Sequence, residues 1–250
     1  GNSLRALVKY SFANAKVRAM LSRLPDGPFF ERLADAESFA EALELLRTSR
    51  ILEPTGGPGN ASDLRDVERR LLLGDIATHR TCRDILAGRK EKEFVSLLME
   101  RYEIEEVKAA LRILPDGDSA ARREFLPPVV RDIPYRAIAA APSLEKAAAL
   151  LAGTPYAEPV AATVAHGVNA SFTLDAALDA GYYRRLLEAA RRFTKLDRQV
   201  SLKMLGIEID IENVLLLIRG HRYYPFSPRQ LAQWILPGGI TILPEAVASA

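Results

Sequence analysis

The sequence contains a single cysteine, Cys82, so no disulfide can form within the chain and no metal site can rest on a set of thiolates. It also has no window approaching the roughly 18 consecutive apolar residues that a membrane-spanning helix needs. Almost no segment alternates between apolar and polar residues as a half-buried strand does. These absences exclude a disulfide-rich secreted domain, an integral membrane protein and a sheet-based fold, and they favour a cytoplasmic protein.

The chain also lacks a strong excess of either charge. Its 250 residues include 34 Lys and Arg against 32 Asp and Glu, for a formal net charge of +2. The pI of about 8.7 stays short of the strongly basic value typical of a dedicated nucleic-acid-binding domain. We therefore expect no nucleic-acid partner, and any binding through charge has to be local.

Motifs for catalysis, cofactors and metals are missing as well. The segment 56–62 is rich in glycine, but it does not have the Gly-x4-Gly-Lys-Ser/Thr pattern of a phosphate loop. His79, His166 and His221 are far apart and lack partners at the spacing of metal ligands. No Gly-x-Ser-x-Gly nucleophile motif occurs. We expect no catalytic residue, no cofactor and no bound metal.

Apolar residues recur every three or four positions along most of the chain, which predicts amphipathic helices. The first helix is predicted over 4–24, and the Pro-Asp-Gly-Pro sequence at 25–28 ends it. Ser38 and Glu41 form a capping-box pattern at the start of a short helix. A longer helix is predicted to begin after a cap at Ser62 or Asp63.

Two clusters of carboxylates, at 103–106 and 208–212, are interpreted as the first turns of new helices. Acidic side chains are stabilised there by the partial positive charge of the helix N-terminus. On this interpretation the chain bends near Glu103, and Asp210 is an N-cap with Asn213 at the third helical position. The alternative is a pair of acids for proton transfer.

The sequence contains an internal repeat. The pattern Ile-Glu-x-Val-x4-Arg occurs at 104–112 and again at 211–219, displaced by 107 positions. Flanking matches occur in the same order at displacements of 105 to 110: Ser38 and Leu45-Leu46 with Ser143 and Leu150-Leu151, Glu53-Pro54 with Glu158-Pro159, and Leu126-Pro127 with Leu236-Pro237. These matches predict a tandem repeat of similar helix bundles.

We therefore expect an all-α fold in four segments. The N-terminal helix occupies 1–24, the first bundle 25–133 and the second bundle 134–239, while 240–250 begins a third repeat that is missing or truncated here. The surface that would receive a third repeat is expected to be partly apolar. We expect the natural chain either to continue past Ala250 or to associate through this end.

Basic side chains cluster on one predicted helix and are candidates for binding a partner: Arg184, Arg185, Arg191, Arg192 and Lys195. Their spacing places them on one face, opposite an apolar face of the same helix. A solvated face is one interpretation. The functional alternative is a docking surface for an acidic partner or for anionic lipid headgroups.

The segment 10–20 resembles the opening motif of the C subunit of V-type and archaeal A-type rotary ATPases, which is called d in eukaryotic complexes. The segments 210–219 and 237–239 are similar to the second signature of that family. The positions that carry the resemblance are Tyr10, Asn14, Arg18, Asp210, Asn213, Arg219, Pro237, Gly238 and Gly239.

The resemblance implies a non-catalytic subunit built from three similar helix bundles arranged as a funnel. Its partners would be the central-stalk subunits on one face and the membrane proteolipid ring on the other, in a complex that couples ATP to proton or sodium transport. It would be cytoplasmic and peripheral to the membrane. Two other functions stay open: a free-standing helical-repeat scaffold unrelated to ATPases, and a helical enzyme whose site is assembled across the repeats.

Overall fold

The computed structural model describes residues 2–49, 51, 63–114, 123–164, 170–224 and 226–249. Within these ranges the chain forms twelve α-helices and one short 3-10 helix, and no strand. The all-α prediction is confirmed. The predictions for Glu53-Pro54, for the glycine-rich segment 56–62, for Ser62 as a cap and for His166 lie outside the described residues.

The chain divides into two compact units, residues 1–96 and 97–250. The division falls within one helix, α5, and not near residue 133, where the predicted repeats meet. The first unit contains α1 (Asn2–Leu21), α2 (Gly27–Ala34), α3 (Phe39–Ser49), α4 (Leu64–Ile85) and the beginning of α5 (Arg89–Ile113).

Helix α2 is an addition to the predicted helices. Helix α1 ends at Leu21, earlier than the predicted end at 24. The segment 25–28 begins α2, because the Asp26 carboxylate accepts a hydrogen bond from the backbone N–H of Phe29 at 3.1 Å. Pro28 occupies the first turn, where its missing N–H costs no helical hydrogen bond. Phe29 then packs with Leu46 and Val67 in the core of this unit.

The predicted caps of α3 and α4 are present, with one difference in the hydrogen bonds of the capping box. The Ser38 hydroxyl accepts from the backbone N–H of Glu41 at 3.2 Å, as a capping box requires. The Glu41 carboxylate accepts from the backbone N–H of Glu37 instead of that of Ser38. Asp63 caps α4, accepting from the backbone N–H of Asp66 at 2.9 Å.

The second unit holds the rest of α5 and seven further α-helices among its described residues. They are α6 (Tyr135–Ala139), α7 (Leu144–Leu150), α8 (Ala157–Val164), α9 (Ala170–Arg191), α10 (Lys195–Tyr223), α11 (Pro228–Leu231) and α12 (Pro244–Ala248), with the 3-10 helix Ala232–Trp234 directly after α11. Helix α9 packs against both α8 and α10. Ser227 and Gln230 form the capping box predicted for α11.

The predicted helix starts at 103–106 and 208–212 are wrong. Helix α5 runs without interruption through the first cluster, and α10 runs through the second, so Asp210 is not an N-cap. The first turns of these helices lie at Arg89 and Lys195 instead. Among the described residues, none of the helices combines the length and apolar character needed to cross a membrane.

Candidate functional site

A network of charged side chains is buried where α5 and α9 meet the segment 123–134. Glu100 and Glu103 of α5 are only 2% and 0% exposed. The Arg131 guanidinium donates to Glu100 at 2.7 Å and to Glu103 at 3.0 Å. Arg185 of α9 donates twice to Glu100, at 2.7 and 3.2 Å. Each buried carboxylate therefore has the cationic partner that burial of a charge requires.

Tyr156 completes this network. Its hydroxyl donates to Glu103 at 2.7 Å, and the Arg131 and Arg185 guanidinium carbons lie 5.7 and 5.8 Å from its ring centroid. Burial raises the pKa of the Tyr156 phenol, and the nearby Glu100 and Glu103 add to this effect. The phenol therefore stays protonated and acts as a donor.

Carboxylates in the middle of α5 also hold the backbone of the segment 123–134. Glu103 accepts from the backbone N–H groups of Val130, at 2.7 Å, and Arg131. Glu106 accepts from the backbone N–H of Leu126 at 3.4 Å. This explains the incorrect helix starts: the acidic clusters do satisfy backbone donors, but these belong to another segment and not to the first turn of their own helix.

Asp210 and Asn213 hold a second segment against α10 in the same way. Asp210 accepts from the backbone N–H groups of Thr241 at 2.8 Å and Ile242 at 3.0 Å. Although desolvation acts in the opposite direction, these N–H groups lower the pKa of Asp210. The fully buried Asn213 amide accepts from the N–H of Leu236 at 2.7 Å and donates to its carbonyl at 3.0 Å.

The signature Pro237-Gly238-Gly239 lies in this second segment. Gly238 has a φ of +100°, which only glycine adopts without strain, and a Cβ there would lie 2.7 Å from Leu187. A Cβ on Gly239 would overlap the Asp210 carboxylate. The two glycines thus allow the backbone to approach α9 and α10 closely.

The N-terminal signature lies on α1. The Tyr10 hydroxyl donates to Glu91 at 3.0 Å, within the first unit. Asn14 and Arg18 are exposed.

The predicted cluster of basic side chains contains two kinds of residue. Four of its members are exposed at the end of α9 and the start of α10: Arg184, Arg191, Arg192 and Lys195. Arg185 is instead paired with the buried Glu100, 85 positions away in the sequence. The exposed four remain the candidate docking surface.

A cleft of about 440 Å³ lies between α5, α9 and α10. Charges of both signs line it: Arg101, Glu105, Lys108, Arg112, Asp179, Glu208, Glu212 and Arg219. Lys108 bridges Asp179 at 2.6 Å and Glu105 at 2.8 Å. Across the described residues, no group of three His, Cys, Asp or Glu side chains is arranged to hold a metal ion.

Glu212 and Asp179 are carboxylates of this cleft whose pKa the fold raises, and Glu212 is the one without an ion pair to Lys108. Burial raises its pKa and the nearby Asp179 adds to the rise, while Lys108 and Arg219 oppose it. A carboxyl whose pKa is higher in the folded state destabilises the fold when ionised. That cost is fully present above the folded-state pKa, shrinks as the pH falls below it and is absent below the unfolded-state pKa.

Substitution of Glu212 by Gln should therefore raise the melting temperature at pH 8. The rise should stay below the roughly 2–4 °C that 1 kcal/mol produces in a domain of this size. Calorimetry at pH 8 and at pH 4 checks this, with Glu188→Gln, an exposed carboxylate on α9, as the matched control. A gain that persists unchanged at pH 4 would contradict the assignment to ionisation.

Two features of this unit escaped the sequence analysis. The network of Glu100, Arg131 and Arg185 joins residues too distant in sequence for any local pattern to connect. An exposed apolar face of α10, by contrast, has a readable signal, because apolar residues recur along it every three or four positions.

Comparison with known proteins matches nearly the whole chain to one family. The model of the family described as "ATP synthase (C/AC39) subunit" matches residues 13–250. The C subunit of the A-type ATP synthase of Thermococcus kodakarensis is 27% identical over 234 residues, which cover 92% of this chain and 62% of that protein. The protein of the same description from Thermococcus gammatolerans is 24% identical over 245 residues, covering 98% and 65%. The chain thus spans somewhat less than two thirds of the length of these curated relatives.

Proposed function

Because the chain belongs to the ATP synthase (C/AC39) subunit family, we propose that it is a non-catalytic socket subunit of a V/A-type rotary ATPase. It would couple the central stalk to the membrane proteolipid ring during ATP-driven or ATP-making transport of protons or sodium ions. It would be peripheral to the membrane through its contact with the ring. The family match over residues 13–250 carries this proposal.

A tandem repeat is part of the proposal. Glu103 and Asp210 are 107 positions apart, and each accepts hydrogen bonds from two consecutive backbone N–H groups of a following segment. Glu106 and Asn213 are also 107 positions apart. Each accepts from the backbone N–H of a leucine that is followed directly by a proline. Equivalent contacts at equivalent positions support two copies of one bundle.

The buried network suits a part that transmits force. Glu100, Glu103 and Arg131 fix the segment 123–134 to α5, and Arg185 fixes α9 to the same point. Side chains held by several charged hydrogen bonds have one arrangement, so a load applied to one helix is carried by its neighbours. This observation favours a coupling element.

The alternatives have less support. A free-standing scaffold would also be all-α, but it would not account for a family match of this extent. An enzyme would need convergent polar groups free to act on a substrate, whereas Lys108 and Asp179 of the cleft are already bonded to each other at 2.6 Å.

The proposal is tested by measuring binding of the purified chain to two separate baits. These are the central-stalk subunits and the detergent-solubilised proteolipid ring of an A-type ATP synthase. We expect retention on both baits and no micromolar affinity for ATP by calorimetry. Absence of binding to both baits, or tight ATP binding by the chain alone, would overturn the proposed role.

Reversal of Arg184, Arg191 and Arg192 to Glu should weaken this binding without affecting the fold. Exposed charges contribute only about 0–1 kcal/mol to stability, whereas clustered charges accelerate docking roughly 10-fold or more at low salt. Association rates measured at low and high salt, together with melting temperatures, check this. Arg185→Glu is the contrasting variant, because it places a second carboxylate beside the buried Glu100 and should lower the melting temperature. Unchanged association at low salt would show that these basic side chains form only a solvated face.

A further inference from the structure

The turn between α9 and α10 concentrates positive charge. The 15 residues 184–198 include six Lys and Arg against two Asp and Glu. This segment therefore has a larger net positive charge than the whole chain, whose formal net charge is +2. Arg185 is bonded to the buried Glu100. The other five cations are exposed: Arg184, Arg191, Arg192, Lys195 and Arg198.

The same turn is open to solvent over its whole length. Every residue of the segment 191–200, which we call the α9–α10 corner, is exposed except Phe193, which is half-buried. Two of its exposed residues are apolar, Leu196 at 67% and Val200 at 47%. They are one helical turn apart and share a side of α10. The corner thus presents apolar side chains among cations.

The stability of the fold does not account for the cations at the start of α10. Lys195 has a φ of +46°, a left-handed conformation that residues other than glycine and asparagine rarely adopt. Lys195 and Arg198 also lie in the first turn of the helix, where its partial positive charge disfavours cations. A glycine and an acidic residue would suit these two positions better. The cations therefore indicate an anionic partner.

Two properties of the corner favour a lipid surface as this partner. The first is its shape: the corner is exposed along its length and no residue of it lines the cleft between α5, α9 and α10, so it fits a flat surface better than an inserted protein segment. The second is its composition. Apolar side chains surrounded by Lys and Arg are typical of segments at the interface of anionic membranes, where the cations bind phosphates and the apolar side chains enter between headgroups.

We propose that the α9–α10 corner binds an anionic phospholipid surface. Its four cations contact headgroup phosphates, and Leu196 enters the headgroup layer with Val200 beside it. The inference goes beyond the proposed function, because it gives the chain a contact with lipid that needs neither the stalk nor the ring.

The test is co-sedimentation of the 250-residue chain with protein-free vesicles of phosphatidylglycerol and phosphatidylcholine in equal amounts. We expect binding at low salt, and none to phosphatidylcholine alone. Lys195→Gly should weaken binding about 5-fold, because each cation near an anionic surface contributes a factor of this order. The same variant should keep or raise the melting temperature, since glycine adopts the left-handed conformation freely. Leu196→Ser should weaken binding without changing its salt dependence, because the lost contact is apolar.

Lys146→Gln is the matched control, because it also removes one exposed cation of the second unit, on α7, and should leave vesicle binding unchanged. Failure of the chain to bind the anionic vesicles would overturn the inference, as would undiminished binding by Lys195→Gly or by Leu196→Ser. Polyglutamate bound as tightly as the vesicles, with no effect of Leu196→Ser, would make the corner a site for an acidic protein instead. The vesicles contain no protein, so each of these results is distinguishable from failure to bind the stalk and the ring.

Discussion

Replacing Glu103 by Gln is expected to lower the free energy of unfolding of the second unit by about 3 kcal/mol or more. The side chain is fully buried and accepts from the Arg131 guanidinium, from the Tyr156 hydroxyl and from two backbone N–H groups. The amide keeps the shape, but it removes one of the two carboxylate charges that pair with Arg131. It also presents an NH2 group toward donors.

Urea unfolding followed by tryptophan fluorescence measures this loss, because the only tryptophan of the chain, Trp234, lies in the second unit and packs edge-on against Phe172. Glu105→Gln is the matched control. Its carboxylate is on the same helix and also pairs with a cation, but its side chain is 64% exposed, so the loss should not exceed about 1 kcal/mol. Equal losses in the two variants would show that burial of the network does not determine its contribution.

Replacing Asn213 by Asp should cost about 2–4 kcal/mol at neutral pH. The shape is preserved, but the NH2 group that donates to the Leu236 carbonyl becomes a carboxylate oxygen facing that carbonyl without a proton between them. Both groups are buried, so water cannot replace the lost hydrogen bond. The loss should shrink at low pH, where a protonated Asp regains a donor.

The same fluorescence measurement at pH 7 and pH 4 checks this second expectation. Asp210→Asn is the control, because it keeps an oxygen for the part-buried N–H of Ile242 and loses only the oxygen that accepts from Thr241, whose N–H is open to water. It should cost about 1 kcal/mol. A pH-independent effect of Asn213→Asp would show that the donor to Leu236 is not the group that matters.

Local patterns in the sequence predicted most helices, since amphipathic spacing and caps act over a few residues. Ser38, Asp63 and Ser227 cap helices as expected, because each side chain bonds a backbone N–H three positions later. The acidic clusters at 103–106 and 208–212 were misinterpreted as helix starts for the same reason. A carboxylate at position 103 looks alike in the sequence whether its donor is one turn away or in a segment 27 residues further on.

The environments of Arg185 and Ile211 could not be predicted from the sequence, because they depend on tertiary contacts. Arg185 has the same spacing as its exposed neighbours, and only the position of Glu100 on another helix shows that it is structural. Ile211 and Ile209 are equally apolar, and only the packing of α10 shows that the first is exposed and the second buried. Neither distinction can be read from one sequence.

Anchoring of backbone through N–H groups also governs how these segments can vary over evolution. Glu103 and Asp210 contact main-chain donors and not particular side chains, so the residues at 130–131 and 241–242 can change while the anchor persists. Proline is the exception, because it has no N–H to give. Pro127 and Pro237 each follow directly after the donor residue, Leu126 or Leu236, where a missing N–H breaks no contact with the anchors. The two proposed copies of the bundle can in this way differ widely in sequence while their anchors still hold the backbone.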